Sequence, residues 1–245
     1  MKIIVQIPVF NEEKHLPLVI DDIRRNFARG VSVPPVIIVI NDGSTDKSAE
    51  IASGKAVDAV VDLKGHCGLG AAFKEGLKCA IRSGADIIVN TDADLQYNAA
   101  EIQALTAPIL ENKADMVIGD RQIHSLRRYP YYKYAAQTMG NFFVSKMLGA
   151  DIKDANSGFR AFSREAAQLL VENMDNPYTY TIESICILLN KKKRIVFVPV
   201  RINNSLRESR LIKSKIGYVK DYIATVLRYF LKKRHKRRPG FNGFL

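Results

Sequence analysis

Through its first half the chain alternates short β-branched apolar runs with longer amphipathic stretches, and few folds accept that rhythm. Strand-like runs fall at 3–8, 36–41, 57–62, 86–91 and 115–119, with helical segments at 12–28, 45–53, 69–83 and 98–112. Short apolar strands separated by helices of this length pair in parallel, because a parallel neighbour needs a long crossover. Their continuous apolar character requires cover on both faces. The expectation is an α/β protein with a mostly parallel central sheet flanked by helices. Farther on, 131–148, 163–174 and 181–193 read as helical and 194–202 as a strand. At 245 residues one large domain suffices.

The most informative residues follow the fourth strand-like run. Asn90-Thr91-Asp92-Ala93-Asp94-Leu95-Gln96 places two carboxylates at a strand's carboxyl end, where open α/β sheets hold their ligands. No Lys or Arg adjoins them, so a cation between them would relieve their repulsion. Mg²⁺ or Mn²⁺ takes carboxylate oxygens together with substrate phosphate oxygens. The plain alternative is a turn at Asp92 and a helix cap at Asp94.

Other segments punctuate the remaining strand ends. Pro8, Phe10, Asn11 and Glu12 follow the first, with acidic residues opening the next helix at its positive end. Asn41-Asp42-Gly43-Ser44-Thr45-Asp46 follows the second; it is either a capped turn or a carboxylate placed to meet a base or ribose. Gly65-His66-Cys67-Gly68-Leu69-Gly70 opens a helix with small residues, which lets a phosphate approach the backbone. Gly119-Asp120-Arg121 ends the fifth strand, and Asp154-Ala155-Asn156-Ser157-Gly158-Phe159-Arg160 lies beyond it. No G-x-G-x-x-G is present, which argues against a dinucleotide cofactor.

Charge separates the body from its C-terminal stretch. Residues 201–245 hold 13 Lys or Arg against 2 Asp or Glu, a balance of +11, out of +12 for the chain. From Lys215 the apolar residues Ile216, Val219, Ile223, Val226, Leu227, Phe230 and Leu231 recur at helical spacing, and the segment runs into Lys232–Arg238. This element, 215–245, fits a helix docked on the body, an interfacial helix on an anionic membrane, or a polyanion-binding tail. No RNA-recognition or zinc-finger pattern accompanies it, so nucleic acid is not expected. Three cysteines without metal spacing suit a reducing compartment. The N-terminus carries no signal peptide, and no stretch reaches the roughly 18 apolar residues that span a bilayer. A cytoplasmic protein, peripheral on the cytosolic face of a membrane, is expected.

Taken in order, I-P-V-F-N-E-E, N-D-G-S-T-D, G-L-G-A-A, T-D-A-D-L-Q, G-D-R, D-x-x-S-G-F-R and L-R-E-S-R-L resemble the family-2 glycosyltransferases of the GT-A fold. The likeness is greatest to the polyprenyl-phosphate (dolichyl-phosphate) sugar transferases, and it covers about residues 3–211. It implies a catalytic domain over 1–214. It also implies that Pro8, Phe10, Glu12, Asp42 and Gly70 meet the nucleotide, and that Asp92, Asp94 and Gln96 hold Mg²⁺ or Mn²⁺ on the diphosphate. Arg121 and Arg210 would stand near the phosphates, with Ser157, Gly158 and Phe159 under the sugar and acceptor. Phe10 stands where the family has Tyr, Asp120 where it has Ser, and Arg207 where it has Gly, so Ser214-Lys215 rivals Ser209-Arg210 as the late loop match. The family's frequent C-terminal transmembrane helices are missing.

The implied reaction moves a sugar from a UDP- or GDP-linked donor with inversion. A polyprenyl phosphate acceptor is already anionic and needs no strong base. A glycan or other alcohol acceptor needs a carboxylate within reach, and Asp154 and Glu183 are the candidates. Arg127-Arg128 would pair with an acceptor phosphate or form a solvated basic turn. Oligomeric state is left open, a homo-oligomer included.

Overall fold

Strands form where β-branched residues crowd together. In this computed structural model, which describes residues 1–27, 34–54, 57–122, 131–175, 179–203 and 215–236, seven strands make one sheet. They are β1 (Ile3–Val9), β2 (Val36–Asn41), β3 (Ala59–Asp62), β4 (Ile87–Asn90), β5 (Met116–Asp120), β6 (Arg160–Ser163) and β7 (Ile195–Pro199), in the order β3-β2-β1-β4-β6-β5-β7. All neighbours run parallel except β6, which is antiparallel to both β4 and β5.

The helices cover both faces. On one side lie α1 (Leu16–Phe27), α2 (Ser48–Gly54) and α4 (Ile102–Leu110), packed on Val5, Ile7, Val39 and Val89. On the other lie α3 (Leu69–Arg82), α5 (Tyr131–Leu148), α6 (Arg164–Asn173), α7 (Tyr180–Asn190) and α8 (Lys215–Lys236), packed on Ile4, Ile40, Ile88 and Phe162. Alternate strand residues therefore feed two cores, as a sheet covered on both faces requires.

Three expectations need correction. The helix expected from 163 to 174 is preceded by a strand that sequence patterning missed. β6 is only Arg-Ala-Phe-Ser, too short to show a period, and it forms because β4 and β5 both pair with it. Its Arg160 is fully buried and gives its guanidinium to the carbonyls of Ser157 (2.6 Å), Ala155 (2.8 Å) and Thr181 (2.6 Å) and to Ser184 Oγ (2.7 Å). Each such donor left unmatched would cost about 1–3 kcal/mol, so two of the bonds hold 155–157 to the sheet and two hold α7 (Tyr180–Asn190) to it. The helix expected from residue 12 begins at Leu16 instead, because the residues before it lock into the loop after β2. Similarly, the 98–112 segment opens with a 3-10 turn, Ala99–Glu101, capped by Asn98, before α4.

The helix expected from Lys215 is α8, which packs on α7 and α5. Thr225 meets Thr179 (Oγ1–Oγ1 3.0 Å), and the Tyr229 hydroxyl donates to Glu183 Oε1 at 3.4 Å. Pro239 and Gly240, expected to stop this helix, lie outside the described residues.

Candidate active site

The carboxyl ends of β1, β2, β4 and β5 open on one side of the sheet. Antiparallel β6 brings its own entry segment, Asp154–Phe159, to that side. The first two strand ends interlock. Asn11, in the left-handed region (φ 55°), accepts at Oδ1 from Thr45 N–H (2.8 Å), and its own N–H donates to Ser44 Oγ (3.1 Å). Glu12 N–H donates to Ser48 Oγ (2.8 Å), and its carboxylate meets His15 Nδ1 (2.9 Å). Pro8 is buried within β1, whereas Phe10 is 39% exposed.

Asp42 is buried and its oxygens are occupied. They accept from the N–H groups of Cys67 (2.7 Å) and Gly68 (2.9 Å) and meet His66 Nδ1 (2.9 Å). Gly43 (φ +70°) makes this possible: a Cβ there would come within 2.5 Å of the Gly65 carbonyl carbon. Asp42 thus anchors the glycine-rich loop, and Gly70 is buried in the first turn of α3 beyond it. His66, to which sequence reasoning gave no role, stacks on Phe10 with ring centroids 3.8 Å apart. Its adjacency to the glycine motif was the available signal.

Asp92 and Asp94 leave the end of β4. Asp94 Oδ1 accepts from Gln96 N–H at 3.0 Å, and Leu95 adopts φ 62° between them. Asn203, just after β7, fastens this turn: its N–H donates to Gln96 O (2.8 Å) and its Nδ2 to Leu95 O (2.9 Å). Burial first, then the Asp94 charge, pushes the Asp92 carboxyl up to about 7, against the opposing pull of Arg121 and Arg160. No hydrogen bond relieves it among the described residues.

Gly158 lies directly against Asp92. A Cβ at Gly158 would stand 2.8 Å from Asp92 Oδ1. Its peptide is held from both ends, the N–H donating to the Tyr97 hydroxyl (3.1 Å) and the carbonyl accepting from Asn90 Nδ2 (2.8 Å). Asn90 Oδ1 in turn accepts from buried Gln6 Nε2 at 2.9 Å. Tyr97 stacks on Phe159 (4.8 Å), and burial keeps its phenol neutral by raising it to about 12. Ser157 is fully buried beside it. Sequence reasoning gave no role to Gln6, Asn90 or Tyr97, although Asn90 opens the quoted acidic motif and Tyr97 follows it.

Arg121 follows β5 and grips Asp154 with both arms, Nε to Oδ2 at 2.7 Å and Nη2 to Oδ1 at 2.9 Å. Gln137 Nε2 adds a third bond to Asp154 Oδ1 at 3.0 Å. Glu183 is buried in α7, where Oε1 accepts from Asp175 N–H (3.2 Å) and from Tyr229. Arg127, Arg128 and Arg210 lie outside the described residues.

These groups can be tested against a divalent ion. Among the described residues no three His, Cys, Asp or Glu side chains gather to hold a metal. The Asp92–Asp94 pair offers hard oxygens, and no hydrogen bond occupies those of Asp92 among the described residues, so the donor set fits an ion that completes its shell with water and phosphate oxygens.

A family model described as Glycosyl transferase family 2 matches residues 4–170. An uncharacterised protein of Methanocaldococcus jannaschii is 32% identical over 204 residues, covering 82% of this chain and 81% of that one. Polyprenol monophosphomannose synthase of Mycolicibacterium smegmatis is 26% identical, covering 97% of this chain and 90% of its own. Glucosyl-3-phosphoglycerate synthase of Mycobacterium tuberculosis, crystallised with Mn²⁺, uridine diphosphate and phosphoglyceric acid, superposes with a TM-score of 0.72 at 20% identity, covering 100% of this chain and 81% of that one. The GT-A sheet expected from the motif series is the architecture found.

Proposed function

This chain belongs to glycosyl transferase family 2, and from that membership we propose that it transfers a sugar, with inversion, from a nucleoside-diphosphate donor to a polyprenyl phosphate. The observation that carries the acceptor is the state of the two candidate bases. Asp154 is committed to Arg121 and Gln137, and Glu183 to Asp175 and Tyr229. An alcohol acceptor needs a carboxylate to take its proton; a phosphate arrives ionised and does not. The full-length likeness to a polyprenol monophosphomannose synthase supports the same acceptor.

Each residue then has a task. Phe10, Glu12 and Gly70 border the nucleotide, and Asp42 shapes that border by holding the glycine-rich loop. Asp92 and Asp94, with Gln96 beside them, would hold Mg²⁺ or Mn²⁺. When bound, such an ion supplies Lewis-acid neutralisation of the departing diphosphate. Arg121, oriented by Asp154, adds positive charge near the same oxygens, and Arg210 joins it from the late loop. Asp154 is therefore a positioning residue rather than a base. Ser157 and Gly158 floor the acceptor side, with Arg127 and Arg128 as its phosphate partners. Residues 1–214 form the catalytic unit, and 215–245 an appended element at the cytosolic face of a membrane. UDP stands ahead of GDP as the donor, in line with the uridine diphosphate held by the M. tuberculosis structure.

The test is a panel of labelled UDP- and GDP-sugars offered with Mn²⁺ and polyprenyl phosphate. Label is expected in an organic-extractable, acid-labile lipid phosphate. Label confined to a glycan or a small water-soluble acceptor would overturn the reading.

A further inference from the structure

Among the described residues, large exposed apolar side chains concentrate on two touching helices. On α5 these are Met139, Phe142 and Phe143, 57–61% exposed. On α8 they are Val219, Ile223, Leu227 and Leu231, 44–55% exposed. The two helices pack on each other, and their inner faces, Val144 and Leu148 on one and Val226 and Tyr229 on the other, share a single core.

The structure divides the apolar stripe that sequence periodicity draws along α8. Thr225, Val226 and Tyr229 turn inward onto the body. Val219, Ile223, Leu227 and Leu231 recur every fourth residue on a separate outward face. Docking on the body and meeting an outside partner are thus not alternatives for this helix, since it has a face for each. Phe142 and Phe143 add bulky aromatic side chains of the kind that settle at a bilayer interface.

We propose that the outward faces of α5 and α8 form one docking surface for a bilayer bearing anionic headgroups, a proposal that rests on the lipid-phosphate acceptor above. Charge selects this occupant over a second copy. Lys146, Lys220 and Arg228 are exposed along the same helices, and α8 runs into the basic sequence Lys232–Arg238. A dimer through α8 would set two segments of net charge +11 against each other. An anionic surface attracts them instead. A carrier lipid that stays in the bilayer also requires the enzyme to come to it.

The experiment uses the whole chain and vesicles of phosphatidylcholine with or without phosphatidylglycerol, scored by co-sedimentation. Wild type should bind the mixed vesicles, and more weakly as salt rises. Phe142→Gln/Phe143→Gln and Ile223→Gln/Leu227→Gln should each lower partitioning by about tenfold or more, with helical content unchanged by circular dichroism. Their turnover of a short-chain prenyl phosphate in solution should match wild type. Wild type that stays in the supernatant, or variants that bind as wild type does, would overturn the surface. So would a dimer, seen by light scattering, that these substitutions dissociate. Vesicle binding without any transfer to prenyl phosphate would instead overturn the acceptor reading and leave the surface in place.

Discussion

Gly158 is the floor against which the Asp92 carboxylate rests: a methyl group in place of its hydrogen would sit 2.8 Å from Oδ1 and 2.9 Å from Oδ2. The contact joins the S-G-F-R motif to the acidic motif after β4. Gly158→Ala should displace the end of the Asp92 side chain while the fold holds, because Gly158 is not in the left-handed region. Mn²⁺ affinity, read by electron paramagnetic resonance, should fall about tenfold, with a stability loss near 1 kcal/mol. Unchanged Mn²⁺ binding would mean that Asp92 does not meet the ion.

Asp92 also sets a pH dependence. Its carboxyl is raised from the ordinary 3.8 to about 7, so the metal-free folded state holds a proton that the unfolded chain has released. That stabilisation is complete below about pH 4 and disappears as pH climbs through 7. Asp92→Asn should melt higher than metal-free wild type at pH 8, by about 3 °C or more. The gap should close near pH 4. A variant less stable than wild type at pH 8 would contradict this.

Asp154 distinguishes positioning from base catalysis. Asp154→Asn leaves Arg121 without its buried countercharge, and breaking such a pair costs about 3 kcal/mol or more. Thermal melts should show the loss directly. Arg121→Met combined with Asp154→Leu should recover much of it, since the pair is removed together. An Asp154→Asn protein as stable as wild type yet devoid of turnover would point to a proton acceptor.

The Tyr97 hydroxyl is the acceptor for Gly158 N–H. Tyr97→Phe buries that donor unmatched, at a cost of about 1–3 kcal/mol. Mn²⁺ affinity should weaken with it, by less than in Gly158→Ala. Equal Mn²⁺ affinity in Tyr97→Phe and wild type would remove Tyr97 from the support of the site.

Much of this was legible in the residues. β-branched runs announced β1, β2, β4 and β5, because strands buried on both faces need continuous apolar sequence. The acidic, glycine-rich and S-G-F-R motifs marked the strand ends that converge. β6 was hidden, because four residues led by an arginine form a strand only when two neighbours accept it. The roles of Asp42 and Asp154 were hidden for a related reason. Their partners, the 67–68 amides and the Arg121 and Gln137 side chains, lie 17 to 33 residues away in sequence. Helical periodicity found the apolar residues of α8 but could not separate those facing α7 from those facing out.

Uridine diphosphate binding measured by calorimetry, with and without Mn²⁺, in wild type and Asp92→Ala/Asp94→Ala tests the central claim most directly. Mn²⁺ should tighten binding about tenfold or more in wild type, roughly 1.4 kcal/mol, and have no effect in the double variant. Nucleotide binding that ignores Mn²⁺ in wild type, or that still responds to it without both carboxylates, would contradict the account.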